Sequence, residues 1–86
     1  MTKDEFFDLL DSVDKFKPAA VRLEGPTHYH DPYCRLWVVG KDSADPTLVM
    51  AKDAWPILTK FKSRDMADKG LVKFQRWFKE WENEKA

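Results

Sequence analysis

The chain is 86 residues long, the length of a single small domain. Fifteen Lys and Arg balance fifteen Asp and Glu, and the resulting net charge of zero argues against a general nucleic-acid coat or a polyanionic DNA mimic. At 35% charged, 43% hydrophobic and 14% aromatic residues, the composition is that of a globular protein rather than a disordered tail.

Residues Thr2 to about Phe16 predict a helix. Thr2 followed three positions on by Glu5 fits a capping box. Phe6, Leu9, Leu10 and Val13 then recur at helical spacing, with Phe7 and Phe16 at the margins, until Pro18 stops the pattern. From Ala20 to Glu24 the apolar residues alternate, Val21 and Leu23 against Arg22 and Glu24, which is the mark of a half-buried strand closed by Gly25-Pro26. A polar loop, Thr27 to Pro32, precedes the strongest strand pattern, Tyr33 to Val39. Its Leu36-Trp37-Val38-Val39 is apolar on both faces, so a central strand is expected. Turn residues fill Gly40 to Pro46, and Thr47 to Ala51 suggests a short third strand. Asp53 reads as an N-cap, with Pro56 in the first turn of a short helix carrying Ile57, Leu58 and Phe61. After a break at Lys62-Ser63-Arg64, a last helix starting at about Asp65 or Asp68 runs to near Glu84. Its stripe is Ala67, Leu71, Phe74, Phe78 and Trp81, with Trp77 beside it, and Gly70 weakens its early turns.

The expected architecture is a single α+β domain over residues 1–86, in the order α-β-β-β-α-α. A small three-stranded antiparallel sheet carries helices on one face, because the connections are too short for parallel crossovers. In size and element order the chain resembles small phage-borne anti-CRISPR proteins, which block a host nuclease by occupying its binding surfaces. That resemblance implies an inhibitor, yet it departs in charge, since the strongly acidic members mimic DNA and this chain is neutral. It carries over no residue roles.

A lone cysteine, Cys34, excludes an intramolecular disulfide. The start, Met1-Thr2-Lys3-Asp4-Glu5, lacks the basic and apolar segments of a signal peptide. Leu36–Val39 and Trp55–Leu58, the longest apolar runs, fall far below the roughly 18 residues of a membrane span. The expected location is cytoplasmic.

The segment His28-Tyr29-His30-Asp31-Pro32-Tyr33-Cys34 is the only candidate for metal chemistry. His28 and His30 point the same way on an extended backbone, but no other His or second Cys completes a zinc set, and a polar loop is the favoured reading. Cys34 opens the central strand, where an inert buried thiol is expected. Gly25, Gly40 and Gly70 are too scattered for a phosphate-binding loop, and no elbow surrounds a serine. Neither an enzyme nor a cofactor is expected.

Charge is more informative. Asp4, Asp8 and Asp11 form an acidic stripe on the first helix, and Lys69, Lys73 and Arg76 a basic one on the last. They pair with each other, face solvent, or meet a partner of opposite charge. Trp37, Trp77, Tyr29 and Tyr33 are the aromatics expected at a surface, because Trp and Tyr dominate binding hot spots; Trp55 and Trp81 are expected in the core. The leading expectation is a non-enzymatic protein-binding module, an inhibitor or adaptor, with a homodimer also in view. The alternatives are a nucleic-acid binder using the basic C-terminal helix and a His-loop metal protein.

Overall fold

The computed structural model describes residues 1–25, 33–41 and 53–86. Helix α1 spans Lys3–Ser12 and a 3-10 turn follows over Asp14–Phe16. The capping box is formed: the Thr2 hydroxyl accepts from the Glu5 amide, and the Glu5 carboxylate accepts from the Thr2 amide at 2.9 Å. Lys17 then takes a left-handed backbone, φ 56° and ψ 69°, which turns the chain into the first strand.

Strands β1 (Pro18–Glu24), β2 (Cys34–Gly40) and β3 (Ala54–Phe61) form an antiparallel sheet in the order β1-β2-β3. The two-sided apolar run thus lies in the central strand, as its pattern demands. Val21 pairs with Val38 and Leu23 with Leu36, and on the other side Val38 pairs with Trp55 and Cys34 with Phe61. These residues share the face that meets the helices. Arg22, Trp37 and Pro56 pair across the opposite face.

Helix α2 (Arg64–Lys85) lies over the sheet and packs on α1. Ser63 is its N-cap, accepting from the Met66 amide. Its buried stripe is Ala67, Gly70, Phe74, Phe78 and Trp81. The core joins these to Phe6 and Leu10 of α1 and to Val21, Leu36, Val38 and Ile57 of the sheet. Phe6 meets Phe74 edge-on at 5.0 Å between ring centres. The result is a two-layer α+β domain, three strands below and two helices above.

One assignment is corrected. Residues 53–62 were expected to be helical with Asp53 as N-cap, yet Ala54–Phe61 is strand β3, so among the described residues the order is α-β-β-β-α. Ile57, Leu58 and Phe61 fit a helical stripe, but the same residues also alternate. Trp55, Ile57 and Phe61 pack toward the core, while Pro56, Leu58 and Lys60 are exposed. Satisfying the second edge of an apolar central strand decides between the two patterns. Among the described residues β3 is an edge of the sheet, which tolerates Pro56 without a helix start. The expected strand Thr47–Ala51 lies outside the described residues.

Gly70 also acquires a reason. It is buried against Phe61, and a Cβ added there would stand 2.9 Å from one ring carbon and closer to another. The glycine that weakens the early turns of α2 is what lets the end of β3 pack beneath it.

Candidate protein-binding surface

Strand β3 presents a strongly apolar residue to solvent: Leu58 is 78% exposed, beside exposed Pro56. A lone exposed Leu is unremarkable, but this one borders two depressions. One, of about 520 Å³, lies between α1 and β3 and is lined by Met1, Glu5, Asp8, Leu9, Ser12, Trp55, Pro56 and Leu58. The other, of about 350 Å³, lies along the strand and is lined by Arg35, Pro56, Ile57, Leu58, Thr59 and Lys60. Pro56 and Leu58 form the wall between them. Carboxylates edge the first cleft and cations the second.

Trp37 of β2 is half-buried on the same helix-free face, in register with Pro56. Its indole Nε1 is buried and has no hydrogen-bond partner among the described residues, and the same holds for the Thr59 hydroxyl in the wall of the smaller cleft. Each such orphan costs about 1–3 kcal/mol, so a fold retains one only where something else compensates. Tyr33 is half-buried, and the Lys60 ammonium stands 5.7 Å from its ring centre. Trp37, Tyr33, Lys60 and Leu58 therefore belong to one region of β2 and β3. Tyr29, His28 and His30 lie outside the described residues. Among the described residues no group of His, Cys, Asp and Glu is arranged to hold a metal. Cys34 is buried and unpaired.

The charged stripes do not meet. Asp11 accepts a hydrogen bond from Trp81 Nε1 at 2.9 Å and pairs with Lys85 at 3.2 Å; Lys85 also reaches Asp14 at 3.7 Å. The Trp81 bond, and secondarily Lys85, hold the Asp11 carboxyl below its usual range. Lys3 is paired with Glu80, whose hydrogen bond raises the Lys3 ammonium above its usual value. Asp4 and Asp8 are exposed and form no ion pair among the described residues, and the same holds for Lys69 and Arg76. Position explains this separation. Helix α1 touches α2 through Phe6 on Phe74 and Trp77, and through Asp11 on Trp81 and Lys85. Lys69 and Arg76 stand on the face of α2 away from its buried stripe, while Lys73 lies over the Phe74 and Trp77 rings on which Phe6 packs.

Trp77 was expected at a surface but packs against the core, 5.2 Å from Phe74 and 6.3 Å from Phe6 between ring centres. Lys73 stands 5.1 Å from the centre of its ring. The i, i+3 spacing from Phe74 already places Trp77 at the edge of the buried stripe, and the core extends to include it. Trp81 is buried and Trp55 half-buried against the core, as expected. Leu58 and Pro56 are the surface residues that helical spacing conceals, and their period-two pattern reveals them.

No helix among the described residues is long and apolar enough to cross a membrane. Comparison with known proteins gives no match to a protein family, to a curated protein or to a solved structure.

Proposed function

We propose that the chain is a non-enzymatic protein-binding module of the inhibitor or adaptor type, acting through the surface centred on Leu58. A phage-type inhibitor of a host defence protein is one form of this reading. The observation that carries it is Leu58, 78% exposed on the wall shared by two clefts. Burying one Leu side chain is worth about 1.5–3 kcal/mol, enough to make it an anchor for a partner pocket. Pro56, Trp37 and Tyr33 supply rigid surface around that anchor at little entropic cost, and Arg35 and Lys60 against Glu5 and Asp8 give the surface a direction.

The test starts from affinity capture in extracts of the native host, followed by reconstitution with the purified partner. Wild type should bind, and Leu58→Glu should bind at least about tenfold more weakly, or about 1.4 kcal/mol. Both should melt at the same temperature, because position 58 is solvent-facing in the free protein. Equal affinity of the two forms for the same partner would sink the assignment of this surface.

A further inference from the structure

The larger cleft has an apolar floor and an acidic wall. Glu5, Asp8 and Ser12 recur along one ridge of α1 with Met1 just ahead of its cap, and β3 closes the opposite side with Trp55, Pro56 and Leu58. Glu5 is engaged at the helix cap, whereas Asp8 has no partner among the described residues, nor has Asp4 one turn earlier. The opening between a helix and a strand edge suits a helix laid lengthwise, whose apolar side chains enter while cations meet the wall.

The same chain carries such a helix. On α2, Met66 and Val72 are 57% and 56% exposed, among the largest apolar side chains left in solvent. Lys69, Lys73 and Arg76 are interleaved with them at three- and four-residue spacing, on the side of α2 away from its buried stripe. Lys69 and Arg76 have no carboxylate partner among the described residues. Ridge and cleft match in charge and in apolar content, but within one molecule they face apart. The cleft opens between α1 and β3, whereas the ridge stands on the face of α2 away from its buried stripe.

We propose that the acidic α1–β3 cleft is filled by the Met66–Arg76 ridge of α2 from a second copy of this chain. The proposal deepens the binding role assigned to the Leu58 surface by naming an occupant for one of its clefts, and it rests on that reading. Because the two contacting patches differ, the contact is heterologous and every copy offers both halves of it. It is partly electrostatic and exposed, so it weakens as salt shortens the screening length.

Sedimentation velocity and light scattering on the whole protein, from micromolar to near-millimolar concentration and at low and high salt, test this. Wild type should exceed the monomer mass at high concentration and low salt, and revert toward monomer as salt rises. Asp8→Lys makes the cleft basic and Arg76→Glu makes the ridge acidic, so each variant alone repels itself and should associate about tenfold more weakly. Mixed in equal amounts they should associate again, because each then offers what the other lacks. Both substitutions are at exposed positions, and circular dichroism melts confirm that each variant folds. A wild type that is monomeric throughout overturns the proposal, as do variants that associate like wild type or a mixture that stays monomeric. Monomeric protein that still captures its partner through Leu58 overturns this inference alone and leaves the binding role standing.

Discussion

Asp11 shows how a side chain read as part of an exposed acidic stripe acquires a structural role. Its carboxylate accepts from the indole of Trp81, a residue only 5% exposed whose Nε1 needs a partner. The Trp81 bond favours the ionised form first, and Lys85 adds to it. The folded carboxyl is therefore more acidic than the unfolded one. Its contribution is complete above the ordinary Asp value, near pH 4, and is lost as pH falls through the lowered folded value. Carboxyl titration followed by NMR should place the Asp11 midpoint below the ordinary Asp value, and Trp81→Phe should raise it. A midpoint that does not move in Trp81→Phe would show that the indole is not the cause. Gly70 offers a second test at this scale. Replacing Gly by Ala inside a helix ordinarily gains about 1 kcal/mol. Here the added methyl meets the Phe61 ring, and overpacking of that kind costs about 1–3 kcal/mol. Gly70→Ala should therefore destabilise wild type yet stabilise a Phe61→Leu background, as measured by urea unfolding of all four forms.

At the scale of elements, the antiparallel three-stranded sheet is as expected, and the segment expected as a short helix supplies one of its strands. Helix α1, β1, β2 and α2 were legible because each carries one dominant periodicity, bounded by the Thr2–Glu5 box, by Pro18 or by the break at Lys62-Ser63-Arg64. The start of α2, expected at Asp65 or Asp68, moves to Arg64 behind the Ser63 cap. Residues 54–61 carry two periodicities at once, and local signals favour the wrong one. Asp53 and Pro56 imitate a helix start, while the term that selects a strand is non-local, the unpaired edge of β2. The candidate site inherits that ambiguity. Trp37 could be placed from its own strand, but Leu58 looks like a core residue on a helix and becomes the most exposed large apolar side chain described only on a strand. Trp77 is half-buried, because a thin core recruits the margin of its helix stripe. As an edge, β3 is also guarded. Pro56, Lys60 and a register irregularity opposite Arg35 and Trp37 each interrupt the regular ladder that another strand would copy. Recognition by side chains at Leu58, rather than by strand addition, is the mode this edge permits.

For the whole molecule, a net charge of zero conceals an axis. Among the described residues, Asp4 and Asp8 on α1 and Lys69 and Arg76 on α2 stand without an ion-pair partner. Asp11–Lys85 and Lys3–Glu80, also among the described residues, fasten α1 to the far end of α2. Orientation of an approaching partner, rather than bulk attraction, is what such an arrangement provides.

That fastening has a dynamic consequence. Helix α1 has 10 residues, shorter than the ~12–15 at which an isolated helix becomes even marginal in water, whereas α2 has 22 and spans about 33 Å. The hydrogen bonds of α1 therefore persist only while Phe6 and Leu10 stay seated beside α2, and this helix is the unit with least to lose by opening on its own. Native-state hydrogen exchange should find the amides of Leu9 to Ser12 released through a sub-global opening, while those of Phe74 to Trp81 wait for complete unfolding. Uniform protection across both helices would show one cooperative block instead. With α1 goes one whole wall of the acidic cleft, so the fraction of time that cleft exists is set by the anchoring of two apolar side chains on the helix's other face.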